Sequence, residues 1–439
     1  MGSPIQNSAP TLISLFTGAG GLDVGLEMAG FSTSVAVDND PVCIESLRLN
    51  QAKGILLADG RSLLRETKLV CSSVSDLSAG DLRPQGRGPE WAPDLLAGGP
   101  PCQPFSSAGK MLSINEPRGR LFEDFIRLAT ALRPRFVLFE NVRGLVTARG
   151  ARNRPGEVLE LIRRSFEEVG YATRFALLNA ADYGLPQRRV RLFMLGSRGS
   201  PLPDFPWPTH GPVPSNALSS GFQPWKTLGE FLKGRPRPDP DDIECPSARL
   251  EQALRDVTCG SGLKSPGARE TTRPGGHWGY KQGTFVADLA KPARTVTAAS
   301  TQDWVRIAGS LRRLTWRECA ALQGFPEEWV FAGSKADRFR QIGNAVPVIF
   351  GRVLGDKIAN SQPVFDEAVL PKSAPWPDEF VEAIRYTQKD HMRNGASRRK
   401  VVELQTLGLA SQAGLMKGLG SMNGVPDAPK TQQQSLFPE

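Results

Sequence analysis

The chain has 439 residues, 40% of them hydrophobic, enough for two or three domains around a sizeable buried core. Its net charge of +9 and isoelectric point near 9.4 favour a polyanionic partner, without separating DNA, RNA and a membrane surface. No apolar run reaches the roughly 18 residues that span a bilayer, and the opening Met1-Gly2-Ser3-Pro4 lacks the layout of a signal peptide. A cytoplasmic protein is therefore expected, with no membrane partner. The cysteines at 43, 71, 102, 245, 259 and 319 contain no CxxC pair and no histidine lies near them, which argues against a disulfide framework and a zinc site.

Residues 11 to 16 are an apolar run ending at a glycine cluster, and an amphipathic stretch follows from Leu22 to Met28; this predicts strand, tight turn, helix. The alternation continues with a strand at 34–37, a helix at 41–50, a strand at 94–97, a helix at 121–132 and a strand at 136–139. Further strands are expected at 174–178 and 191–195. Strands alternating with helices imply an α/β protein whose mostly parallel sheet is covered on both faces. From Gly199 prolines crowd in and helical periodicity fades until Pro292, so residues 199–290 read as a separate, loop-rich domain inserted into the first. Helices are expected again at 316–322 and 346–358, completing the interrupted domain over 291–358. The remaining 359–439 holds one helical candidate, 378–392, and then a basic cluster and a disordered end.

Three constellations sit at the expected strand ends. Gly18, Gly20 and Gly21 allow a backbone to turn sharply and approach a ligand, and Asp38 ends the next strand where a carboxylate can accept from ribose hydroxyls. A plain turn with an N-cap aspartate would give the same letters, and the spacing does not match the GxGxxG of dinucleotide sites. Gly98-Gly99-Pro100-Pro101-Cys102-Gln103-Pro104-Phe105-Ser106 puts a thiol on a proline-stiffened loop at the carboxyl end of the 94–97 strand, where open α/β sheets bind ligands. A lone cysteine is more commonly an inert buried residue. Glu140 ends another strand on the same edge, and Gln187, Arg189 and Arg191 share one side if their segment is extended; each is also compatible with a solvated face.

Taken together and in this order, the motifs resemble the bacterial DNA (cytosine-5) methyltransferases, close to those of type II restriction-modification systems, over residues 11 to 356. Phe16 to Gly21 resembles the cofactor motif, Asp38 the ribose-binding acid, Asp76 the acid near the adenine amine, and Pro100 to Ser106 the nucleophile loop. Asn39 stands where several members carry a bulky apolar residue against the adenine. Glu140-Asn141-Val142 resembles the base-binding motif and Gln187 to Arg191 the QxRxR motif. Lys291 to Thr297 resembles the segment after the variable region, and Gln341 to Pro347 the last motif, whose asparagine returns to the cofactor pocket.

The resemblance implies a Rossmann-like S-adenosylmethionine-dependent methyltransferase fold with an inserted target-recognition domain at 199–290. It implies Cys102, Glu140 and Arg189 as catalytic residues, with Cys102 adding to carbon 6 of a flipped cytosine, Glu140 at the ring nitrogen and amine, and Arg189 at the base carbonyl. Cofactor contacts are expected from Phe16, Gly18, Gly20, Gly21, Leu22, Asp38, Asn39, Asp76, Pro101, Asn344 and Val346, with S-adenosylhomocysteine as product. DNA contacts are expected from Gln187, Arg191, Ser106, Arg294 and Thr295, with Arg269, Arg273, His277, Trp278 and Lys281 as further candidates. The expected partners are double-stranded DNA and a cognate restriction endonuclease, with the protein a monomer. Gln433-Gln434-Ser435-Leu436-Phe437 resembles the short peptide that docks bacterial DNA enzymes on the replication sliding clamp, although a glutamine-rich tail can carry such letters by chance. An RNA cytosine-5 methyltransferase and a catalytically idle DNA-binding regulator remain as alternatives.

Overall fold

Leu12, Ile13, Ser14 and Leu15 are all buried, so Thr11–Leu15 (β1) lies inside a sheet covered on both faces. Period-two alternation sorts the sheet's side chains into two cores: Ile13, Leu15, Val35, Val37, Leu96, Val137 and Phe139 go to one face, and Leu12, Leu95, Ala97, Phe136 and Leu138 to the other. The computed structural model describes residues 9–101, 121–212, 221–264, 283–361, 366 and 371–388. Cys102, Ser106, the 269–281 DNA-contact candidates and the 433–437 peptide lie outside them. Met1–Ile384 belongs to one compact unit and Arg385–Glu439 to a second.

The main sheet has seven strands. β1 pairs in parallel with Ser32–Asp38 (β2), which pairs with Lys68–Cys71 (β3); on its other side β1 pairs with Leu95–Gly98 (β4), and β4 with Phe136–Val142 (β5). Ala172–Asn179 (β6) and Val190–Ser197 (β7) complete the order β3-β2-β1-β4-β5-β7-β6, with β7 antiparallel to both its neighbours. This is the mostly parallel, doubly covered sheet expected from the alternation.

Leu121–Leu132 (α3) and Glu157–Glu168 (α4) cover one face; Phe125, Phe139 and Phe166 meet edge-on there, with centroids 5.8 to 6.2 Å apart. Gly21–Met28 (α1) and Val348–Asn360 (α9) cover the other face. These two helices approach so closely that a Cβ on Gly25 would stand 2.0 Å from the Val348 carbonyl, and one on Gly351 2.3 Å from that of Leu22. Pro41–Lys53 (α2) begins at the Asp40 cap, whose carboxylate accepts from the Val42 amide at 3.0 Å.

Residues 199–290, expected to form an inserted domain, carry little regular structure among those described. They hold His210–Gly211 (β8) paired with Gln223–Pro224 (β9), and the short helices Leu228–Lys233 (α5) and Ala248–Leu254 (α6). Ser261–Gly262 (β10), Phe285–Val286 (β11), Trp304–Ile307 (β12) and Ser310–Arg313 (β13) form a four-stranded sheet, which takes strands from both sides of residue 290. Trp316–Leu322 (α7) and Lys335–Asn344 (α8) follow, each opened by a capping box. Residues 378–388 are helical, within the expected 378–392. No described helix is long and apolar enough to cross a membrane.

Candidate active site

The parallel strands β1, β2, β4 and β5 all end on one edge, and the sequence motifs end with them. After β1 the chain enters the left-handed region at Phe16 (φ 56°), Gly18 (φ 55°) and Gly20 (φ 83°). Glycine takes such angles at no steric cost, whereas Phe16 is held in strain by its surroundings. The turn is pinned to β2: the Thr17 amide donates to the Val37 carbonyl at 3.0 Å, and the Gly18 amide to the Asp38 carboxylate at 2.8 Å. The other Asp38 oxygen accepts from the Asp40 amide at 2.9 Å. Burial pushes this carboxyl above its ordinary range, and the two amides offset part of that.

The expected cofactor residues divide into two groups. Gly18 opens to space, with no atom within 4 Å of where a Cβ would stand, and Asn39, Asp76, Pro101 and Asn344 are exposed around the same edge. Gly20, Gly21 and Leu22 are buried instead, and their side-chain directions meet protein: a Cβ on Gly20 would be 2.8 Å from Leu47 and one on Gly21 2.2 Å from the Val346 carbonyl. As side-chain positions these three shape the turn and dock it on the 345–348 segment, which brings half-buried Val346 to it.

The part of the edge where the base is expected is built from buried charge. The strand register pairs Val142 with Arg191 and Glu140 with Phe193, making Arg191 the diagonal neighbour of Glu140. Arg191 Nε lies 3.2 Å from Glu140 Oε1, with both side chains mostly covered. Burial raises the Glu140 carboxyl above its ordinary range; the charges of Arg191 and then Arg189 pull it back. A Cβ on Gly99 would stand 2.5 Å from Glu140 Oε2, so this carboxylate needs a glycine beneath it. The Asn141 side-chain amide donates to the Pro100 carbonyl at 3.2 Å, tying the Pro-Pro segment to the end of β5 one residue before the described stretch ends at Pro101.

Two residues of the QxRxR segment turn inward. Arg189, expected at the base carbonyl, is 1% exposed, and its guanidinium donates to the carbonyls of Val296 at 2.7 Å, Gly343 at 2.7 Å and Ala345 at 2.9 Å. Gln187, expected to touch DNA, is 0% exposed; its amide donates to the Leu322 carbonyl and to Gln323 Oε1, both at 2.9 Å, and accepts from the Val296 amide at 2.9 Å. Extended backbone does place residues 187, 189 and 191 on one side, but that side is packed against three other segments at 187 and 189 and opens only at 191. Arg294 lies over the Phe285 ring at 4.1 Å and 3.5 Å from Asp303, while exposed Thr295 donates its hydroxyl to the Arg188 carbonyl at 2.8 Å.

Asp23 carried no recognised signal in the sequence. It is 0% exposed in the first turn of α1, and burial pushes its carboxyl up; the hydroxyls of Ser14 and Thr17 lie close enough to offset part of this, yet neither carboxyl oxygen has a partner in hydrogen-bond geometry. Its only trace was an acidic residue at a helix start, which usually marks an exposed cap.

A doubly covered, mostly parallel sheet with a glycine turn and an acid at its first two strand ends is the Rossmann-like fold of S-adenosylmethionine-dependent methyltransferases. Residues 11–360 match the C-5 cytosine-specific DNA methylase family, and the chain belongs to that family, with DNA cytosine-5 methyltransferase activity. It is 36% identical over 256 residues to the type II methyltransferase M.AquIA of Picosynechococcus sp., a match covering 56% of this chain and 96% of that relative. It is 32% identical over 359 residues to the type II methyltransferase M.FnuDI of Fusobacterium nucleatum, covering 79% of this chain and 93% of that one. The crystal structure of the S. pombe Dnmt2 methyltransferase shares the fold at TM-score 0.54 and 19% identity, covering 80% of this chain and 98% of that chain.

Proposed function

We propose that the chain methylates carbon 5 of a cytosine flipped out of double-stranded DNA through a covalent bond from Cys102, with S-adenosylmethionine as donor. The observation that carries this reading is the buried Glu140–Arg191 pair beside the Gly99-Pro100-Pro101 loop that leads into Cys102. Carbon 5 of cytosine is a weak nucleophile, and addition of the Cys102 thiolate to carbon 6 turns the ring into an enamine that can accept a methyl group. Glu140, its carboxyl kept protonated to higher pH by burial, donates to the ring nitrogen as electron density moves there, and accepts from the exocyclic amine. Arg191 orients Glu140 and is the arginine available to the base carbonyl. Loss of the carbon-5 proton then expels Cys102 and restores the ring. Flipping the base out of its stack costs a few kcal/mol, supplied by contacts with the DNA.

The residues present fit the donor. Open space over Gly18, the exposed Asn39, Asp76, Pro101 and Asn344, and an Asp38 carboxylate with lone pairs left for ribose hydroxyls form one cradle. When bound there, S-adenosylmethionine supplies an electrophilic methyl group; Asp38, the Gly18 backbone and the Asn344 turn hold and orient it.

Further readings complete the proposal. Residues 199–290, with Arg294 and Thr295 beside them, select the target site, and Ser106 contacts the DNA next to the nucleophile. The type II relatives support pairing with a cognate restriction endonuclease. The chain acts as a monomer in the cytoplasm, and its 433–437 peptide docks on the sliding clamp. Removing residues 430–439 should abolish clamp binding while leaving transfer intact.

Cys102→Ser is expected to lower methyl transfer by about 10³-fold or more, and a 5-fluorocytosine duplex to trap the wild type covalently. Retained transfer in the variant, or transfer to RNA in preference to DNA, would overturn the reading. Bisulfite sequencing of DNA from expressing cells identifies the target.

A further inference from the structure

Gln323 belongs to none of the motifs above, yet it stands where the base side and the cofactor side meet. It follows α7 directly and is 0% exposed. Its side-chain amide donates to the Ile342 carbonyl at 2.6 Å and the Ala345 carbonyl at 3.2 Å, its Oε1 accepts from Gln187 at 2.9 Å, and its own carbonyl accepts from the Val348 amide at 3.0 Å. With Arg189 holding Gly343 and Ala345, the carbonyls of 342, 343 and 345 are all drawn inward. Asn344, between them, is left exposed, and Val346 is set against Gly21. The far side of the same cluster is Gln187, four residues before Arg191 at Glu140.

We propose that Gln323 is a positioning residue that sets the affinity for S-adenosylmethionine by holding the 342–346 turn in its binding shape. This rests on the cofactor reading above. An apolar side chain of the same length leaves the Ile342 carbonyl buried without its donor and frees one edge of the turn, while the DNA-facing surface of 199–290 is untouched. The amide therefore acts on one ligand and not on the other, which separates positioning from general support of the fold.

The test compares wild type with Gln323→Met and Gln187→Glu, the second keeping the acceptor for Val296 while removing the donor to Gln323 and to the Leu322 carbonyl. S-adenosylmethionine binding is measured by calorimetry without DNA, duplex binding by fluorescence anisotropy without cofactor, and melting by circular dichroism. In Gln323→Met the cofactor Kd should rise about tenfold with DNA affinity within about twofold, and Gln187→Glu should shift the same ratio by about threefold. Unchanged cofactor affinity in a folded variant overturns the proposal. So does a parallel loss of both affinities with lowered melting, or failure of both variants to fold, since each outcome marks a residue of the scaffold. A wild type that binds no S-adenosylmethionine would refute the function itself, whereas a binding wild type with unaffected variants refutes only the role of Gln323.

Discussion

On the cofactor side of the strand edge the cradle is shaped by backbone: amides of Thr17 and Gly18 bind β2, and Gly20 and Gly21 let the turn lie against Leu47 and Val346. On the base side the shape comes from charged side chains taken out of water, Glu140 with Arg191 and Arg189 among three carbonyls. Backbone amides lose little on burial once paired, so that half tolerates side-chain change wherever glycine is not required. Buried charge depends on every partner, because a lost one leaves a desolvated group behind. The base side should accordingly be the more sensitive to single substitutions, and its failures should separate into chemistry and folding.

The largest expected effect is on chemistry. Glu140→Gln keeps the shape but cannot supply the proton, and methyl transfer should fall by about 10²- to 10⁴-fold with little change in melting temperature. A single-turnover assay on a hemimethylated or unmethylated duplex measures it; near-normal rates would remove Glu140 from the reaction.

The two arginines sharpen the contrast. Arg191→Met should lower the rate by about 10²-fold while the protein stays folded. Arg189→Met takes a donor from three buried carbonyls, of which Ala345 keeps the Gln323 amide, and should cost about 3 kcal/mol of stability in urea denaturation. If the variants behaved alike in both assays, the division between a reacting and a bracing arginine would be wrong.

The smallest effect tests the cofactor side, at Asp23 beneath the glycine turn. Its folded carboxyl holds a proton above the ordinary value of 3.8, so the stability tied to that proton is present at acid pH and is lost as pH rises through the raised value. Asp23→Asn cannot ionise and should lessen the fall in melting temperature as pH rises above the ordinary value of 3.8. A wild-type-like slope in the variant would assign the fall to Glu27, Asp38, Glu140, Asp182 or Glu379, whose carboxyls burial also raises.

Much of this was legible from local pattern. The helices at 121–132 and 316–322 have the bounds expected of them, because amphipathic spacing and a Thr315–Glu318 capping box are written in neighbouring residues. α4 was missed, although its buried Val158, Leu159, Ile162 and Phe166 lie at helical spacing on one face. β3 was not legible: four residues with none of them buried carry no period to read. Nor was the reversal of β7 between β5 and β6, since antiparallel pairing leaves no mark on a buried strand's letters.

The α/β alternation, the glycine turn, the acid at the end of β2, the Pro-Pro-Cys motif and, from the order of such motifs, the family were legible in the letters, since each motif is a run of residues adjacent in the chain. Which arginine meets Glu140, and what Gln187 and Gln323 do, was decided only by the tertiary structure. Residues 187, 189 and 191 share one side of an extended segment, and their roles differ by depth alone. That depth is set by segments more than a hundred residues away, at 296 and 322 to 345, which close over the first two and leave Arg191 at the edge.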